Sequence, residues 1–164
     1  MIHKLMLPLL LLLSAAVPSW STSPAEVMLQ IEILRGDGVA DRRFELTAED
    51  LRAMGHDLIL TSTPWTKGVQ SFEGVSLHTL LDNLKVSSGK MYMYAVNDYR
   101  IEVPITDAQP GGPIIAYENN GLPMPLRDKG PLWLVYPYDA AADFRSETIY
   151  SRSIWQLNRI EITP

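Results

Sequence analysis

The clearest concentration of groups able to do chemistry is Arg127-Asp128-Lys129, a charged triplet set directly before the apolar run Leu132 to Tyr136. Guanidinium and ammonium donors at the entrance of a buried strand suit an anionic ligand. Binding groups gather on loops held by a rigid scaffold. The plain structural alternative is a loop whose charges are only solvated.

Other chemistries have less support. The chain has no cysteine, which excludes disulfides, thiolate metal ligands, iron–sulfur clusters and a cysteine nucleophile. Its three histidines are His3, His56 and His78, with no His-x-x-x-His or His-Glu-x-x-His spacing, so a histidine zinc site has no basis. His56 follows Gly55 and reads as a capping or loop histidine. His78 falls on the polar side of a helix. Neither a Gly-x-Gly-x-x-Gly fingerprint after a strand nor a Gly-x-Ser-x-Gly elbow occurs. Glu49-Asp50 sits at a helix start, where the helix dipole explains two carboxylates better than acid–base work does. A net charge of -5 without a basic run excludes nucleic acid, whose phosphates demand clustered Lys and Arg.

The elements that must position these groups follow from periodicity. With 164 residues, 46% of them hydrophobic, the chain has material for one domain with a core. Lys4, the apolar stretch Leu5 to Leu13 and the small residues Ala15, Ala16 and Ser19 read as a secretion signal over residues 1–22. That stretch is shorter than the roughly 20 residues that span a bilayer. A single domain is expected over 23–164 in an exported, periplasmic bacterial protein. Val27 to Leu34 alternates as a strand, and Arg42 to Leu46 is a weaker one. Thr47 caps a short helix over Ala48–Met54, and Ser76 caps another over Leu77–Leu84, whose leucines share one face. Leu58 to Thr63 reads as a strand and Trp65 to Ser71 as a polar loop. Lys90 to Val96 and Tyr99 to Ile105 form a hairpin around Asn97-Asp98. Ile114 to Glu118 and Leu132 to Tyr136 are strands. Thr148 to Ile154 is ambiguous between helix and strand, and Trp155 to Ile162 closes the domain with a slip in alternation near Asn158. Trp133 and Trp155 are expected in the core. The class is α+β, with mixed, mostly antiparallel sheets and a few short helices.

Several motifs, in order, carry a resemblance. Trp65-Thr66-Lys67-Gly68 is followed by Gly74-Val75-Ser76-Leu77 and Leu80-Leu81. Asn97-Asp98-Tyr99 is followed by Val103-Pro104. Asn120-Gly121-Leu122-Pro123-Met124-Pro125 is followed by Gly130-Pro131-Leu132-Trp133-Leu134-Val135-Tyr136-Pro137. Trp155 and Ile160-Glu161-Ile162 close the chain. Together they resemble the molybdopterin-binding domain of the sulfite oxidase family, in this order from about residue 56 to 162. The resemblance implies that fold and a pterin site. In that family a cysteine thiolate near the end of the strand here reading Leu58–Thr63 holds molybdenum. This chain offers Thr61, Ser62 or Thr63 there, and Trp133 where the family has an arginine.

A hydroxyl is a poor substitute for a soft thiolate. The expectation is therefore an exported binding module with no cofactor, taking a small molecule or a periplasmic or membrane protein partner. A molybdopterin-dependent oxidoreductase lacking the cysteine is the alternative. The expected pocket lies at the end of the Leu58–Thr63 strand, where Thr61, Thr63 and Trp65 would meet Asn97, Asp98 and Tyr99, with Arg127 from the connection. Each of these also has a structural reading: Trp65 as a core cap, Asp98 as a turn residue, Arg127 as a partner of Asp128 or of solvent.

Overall fold

A computed structural model describes residues 26–164. The expected signal over 1–22 lies outside the described residues. Among the described residues, ten strands form two sheets, joined by three short α-helices and two single 3-10 turns. The strands are β1 (Val27–Leu34), β2 (Ala40–Thr47), β3 (Asp57–Ser62), β4 (Val69–Ser76), β5 (Lys90–Ala95), β6 (Arg100–Pro104), β7 (Ile114–Asn119), β8 (Leu122–Pro123), β9 (Trp133–Val135) and β10 (Leu157–Thr163). The helices are α1 (Ala48–Met54), α2 (Leu77–Leu84) and α3 (Glu147–Arg152).

The first sheet runs β2-β1-β10-β5-β6. Its β1–β10 pair is parallel and its other pairs are antiparallel. In β1 the alternation has its structural result: Leu29, Ile31 and Ile33 are buried, while Gln30 and Glu32 face outward. The second sheet runs β3-β4-β7, and the far edge of β7 pairs with both β8 and β9. This is the mixed, mostly antiparallel α+β architecture that the sequence predicts.

Both early helices follow from their caps. Thr47 and Asp50 form a reciprocal capping box at α1. The Ser76 hydroxyl accepts from the Thr79 amide at α2, whose buried face is Leu77, Leu80, Leu81 and Leu84. Two sequence readings are corrected and one left open is resolved. Val69–Ser71 is the start of β4 rather than loop. Its Val69 is 65% exposed, so an inward alternation begins only at Phe72. Residues 147–152 are helical, with Ser146 accepting from the Ile149 amide. The closing strand begins at Leu157, not Trp155. Trp155 makes only an isolated bridge to Trp133 and is 38% exposed, so it is not a core residue.

The two sheets are stitched together at residues 154–157. Leu134 N–H donates to Ile154 O at 2.9 Å, Gln156 N–H to Lys129 O at 3.0 Å, and Leu157 N–H to Leu132 O at 2.9 Å. Gln156 turns the chain from one sheet into the other with a left-handed φ of +54°.

Candidate functional site

Trp65 follows β3 on a turn that Thr63 shapes. The Thr63 hydroxyl accepts the Trp65 N–H at 3.1 Å and pairs with the Thr66 hydroxyl at 2.8 Å. The Trp65 indole then meets Trp133, Tyr138, Tyr150 and Trp155 edge-to-face, with ring centroids 5.5 to 6.2 Å apart. Such T-shaped contacts hold a ring in one orientation.

The indole divides two recesses. The first, of about 300 Å³, is walled by Trp65, Tyr99, Tyr150 and Trp155, with Asn97, Ser151 and Gln156 supplying polar groups. No charged side chain lines it among the described residues. The second, of about 400 Å³, brings Lys67, Gln70, Asp128 and Lys129 around Trp65 and Trp133. The Lys129 ammonium lies 5.5 Å from the Trp133 ring and 5.6 Å from the Trp155 ring. Asp128 stands 3.5 Å from it. An ammonium over indole faces is a cation–π arrangement.

The residues singled out in the sequence divide accordingly. Trp65, Asn97 and Tyr99 come together in the first recess. Thr61 is fully buried and lines neither recess; its hydroxyl accepts from Asp139 N–H at 3.1 Å and donates to Ser62 O at 3.2 Å. Thr63 faces a shallower depression shared with Asp139 and Arg145. Asp98 occupies the left-handed position of the β5–β6 turn, its side chain 92% exposed. Arg127 is exposed on the connection and lines neither recess. Its neighbour Lys129 is the cation placed against the aromatic wall. Tyr150, Ser151, Trp155 and Gln156 are lining residues that the sequence reading missed. The signal was the slip in alternation near Asn158, which marks the left-handed Gln156 just upstream.

Hydroxyls at the end of β3 are spent within the chain. Besides the bonds of Thr61 and Thr63, Ser62 donates from its N–H and its hydroxyl to the Asp139 carboxylate at 2.5 and 2.8 Å. Arg145 donates to the same carboxylate at 2.8 Å. The Ser62 bonds come first in holding the Asp139 carboxyl below its ordinary value, with Arg145 adding to them. Beneath the recess, Tyr138 donates to the Ser153 hydroxyl at 2.7 Å, and burial pushes its phenol up to about 12. The Ser151 and Ser153 hydroxyls donate to the Thr148 and Ile149 carbonyls, both at 2.8 Å. Among the described residues neither serine hydroxyl is hydrogen-bonded to a basic side chain that could activate it, so the arrangement suits binding rather than nucleophilic chemistry. Among the described residues no group of three or more His, Cys, Asp or Glu is arranged to hold a metal.

No curated protein matches the chain significantly. A family model does: residues 17–144 match the oxidoreductase molybdopterin-binding domain. The match spans β1 to β9 and stops short of α3, Trp155 and β10, so the resemblance of the closing segment lies beyond it. The motifs, the two-sheet architecture and this match agree, and the chain belongs to the oxidoreductase molybdopterin-binding domain family.

Proposed function

We propose that this protein is an exported binding module on the molybdopterin-binding-domain fold, without molybdenum redox chemistry. Its ligand is a small molecule, or a partner protein's side chain, seated in the first recess against Trp65, Asn97 and Tyr99. The observation that carries this reading is the contrast at the end of β3. The three hydroxyls standing where the family places a thiolate are each consumed by an intramolecular hydrogen bond, while an uncharged aromatic recess lies alongside.

The donor set does not fit molybdenum. A metal ligand at β3 would be a hydroxyl, protonated at neutral pH and hard where the family's thiolate is soft. Binding a metal there would also break the bonds that tie β3 to Asp139. The family match supports a second reading, a molybdopterin-dependent oxidoreductase lacking the cysteine ligand. Elemental analysis of protein purified from its native compartment separates the two. The binding-module reading expects molybdenum far below one atom per chain. Stoichiometric molybdenum with turnover overturns it in favour of the second.

A further inference from the structure

We propose that the open edge of β3 pairs with β3 of a second copy of this chain, antiparallel about a two-fold axis at Ile59, so that the second sheet runs on through a dimer. None of residues 57–61 lines either recess, so this inference stands apart from the ligand site.

Hydrogen bonds outside the β3–β4 ladder show which backbone groups face the edge. Ser71 stands opposite Leu60. Its N–H donates to Asn120 Oδ1 at 3.0 Å, and its carbonyl accepts from Asn120 N–H at 2.7 Å. Both groups are thus turned toward β7, and Leu60 belongs to a pair that exchanges no hydrogen bonds with β4. Two residues on, the Ser62 N–H goes to the Asp139 carboxylate rather than to Val69 opposite. The alternation of an antiparallel strand then turns the N–H and C=O of Leu58 and Leu60 away from β4. Among the described residues no strand meets them, because β3 ends its sheet.

This edge lacks the devices that discourage pairing. The edge strands of the first sheet carry Asp41, Arg42 and Arg43 on β2, and Arg100, Glu102 and Pro104 on β6. Leu58 to Ser62 holds no charge and no proline, and β3 pairs with β4 without a register shift. Leu58 and Leu60 are 60% and 65% exposed, on the same face as Val69. A straight, apolar, unprotected edge is a template for another strand.

The sequence of that edge favours its own copy. Leu58-Ile59-Leu60 is symmetric about Ile59, as an isologous interface requires. Centred on Ile59, Leu58 exchanges both backbone hydrogen bonds with Leu60 of the second copy, and the axis repeats the exchange. All four leucines then share one face. Centring on Leu60 would set Leu58 against Ser62, whose N–H Asp139 already holds. Centring on Leu58 would set Leu60 against His56 instead of a leucine. The ends of the Ile59 register are charge-balanced. His56, paired with Glu73 at 2.8 Å, comes opposite Ser62 of the second copy, whose Asp139 is paired with Arg145. Each copy brings one acid and one base to each end.

So short an interface lies at the low end of specific contacts, and a reversible dimer in the micromolar range is expected by sedimentation equilibrium. Leu58→Lys and Leu60→Lys, both at exposed positions, should each raise the dimer Kd at least about tenfold with an unchanged circular dichroism spectrum. A third variant reads the register. Opposed residues that exchange no hydrogen bonds have Cα atoms about 4.5 Å apart, within disulfide reach. Ile59→Cys, in a chain without other cysteines, should therefore crosslink under mild oxidation. Val69→Cys, one strand further from the axis, should not. A protein monomeric at all concentrations, with Ile59→Cys uncrosslinked, overturns the proposal and leaves the edge to a strand of another protein. A dimer that survives both lysine substitutions lies elsewhere on the surface and overturns it equally.

Discussion

At the scale of single residues, Asp139 holds the end of β3 in place. Its carboxylate accepts from Ser62 twice and from Arg145, and its own N–H donates to Thr61. The folded-state pKa lies below the ordinary 3.8. The stability from this ionised form is therefore present above pH 3.8 and lost as pH falls through the lower, folded value. The urea midpoint should drop as pH falls below 3.8, and Asp139→Asn should be less stable at pH 7 with a smaller acid-side drop. An equal drop in both proteins would remove Asp139 from the account. Little of this network was legible beforehand. Ser62 and Asp139 are 77 positions apart, and nothing in local patterning links a strand end to a distant loop. Trp65, Asn97 and Tyr99 could be picked out because aromatic and turn residues flanked recognisable strands. Lys129 stands in the same charged triplet as Arg127, and nothing in the local sequence distinguishes the two. The difference arises only because the connection folds the Lys129 side chain under two indoles.

At the scale of elements, the caps and the leucine face made α1 and α2 legible to the residue. Ser76→Ala removes the acceptor for the Thr79 amide at α2 and should cost about 1 kcal/mol, read as a lower urea midpoint with an unchanged slope. Ser76→Asp, which restores an acceptor, should recover most of it. A full loss with Asp would show that packing rather than capping fixes this end. The elements that sequence patterning misread lie where tertiary contacts override it. β4 begins with residues that face solvent, so only its pairing with β3 (Thr61 opposite Gln70, Ser62 opposite Val69) makes Val69–Ser71 a strand. Trp155 resembles the first inward residue of a closing strand. A left-handed residue then intervenes, and the indole swings out to wall the recess instead.

At the scale of the molecule, the recess straddles the boundary of family similarity. Trp65, Asn97 and Tyr99 fall inside the matched residues 17–144, while Tyr150, Trp155 and Gln156 fall outside them. One wall thus belongs to the family's shared scaffold, and the other comes from the segment that stitches the sheets together. That segment leads into β10, which lies between β1 and β5 in the middle of the first sheet. Its Leu157, Ile160 and Ile162 are all fully buried. Truncation after residue 156 should abolish cooperative thermal unfolding altogether. A sharp transition in the truncated protein would show that the second sheet folds by itself.

The parallel β1–β10 register, Gln30 beside Arg159 and Ile33 beside Ile162, also sets a timetable for biogenesis. During synthesis the amino-terminal hairpin and the Lys90–Pro104 hairpin leave the ribosome early, but they have no common neighbour until residues 157–163 emerge. A stalled or prematurely terminated nascent chain would carry two ribbons with unsatisfied edges, the kind of surface that chaperones and proteases recognise.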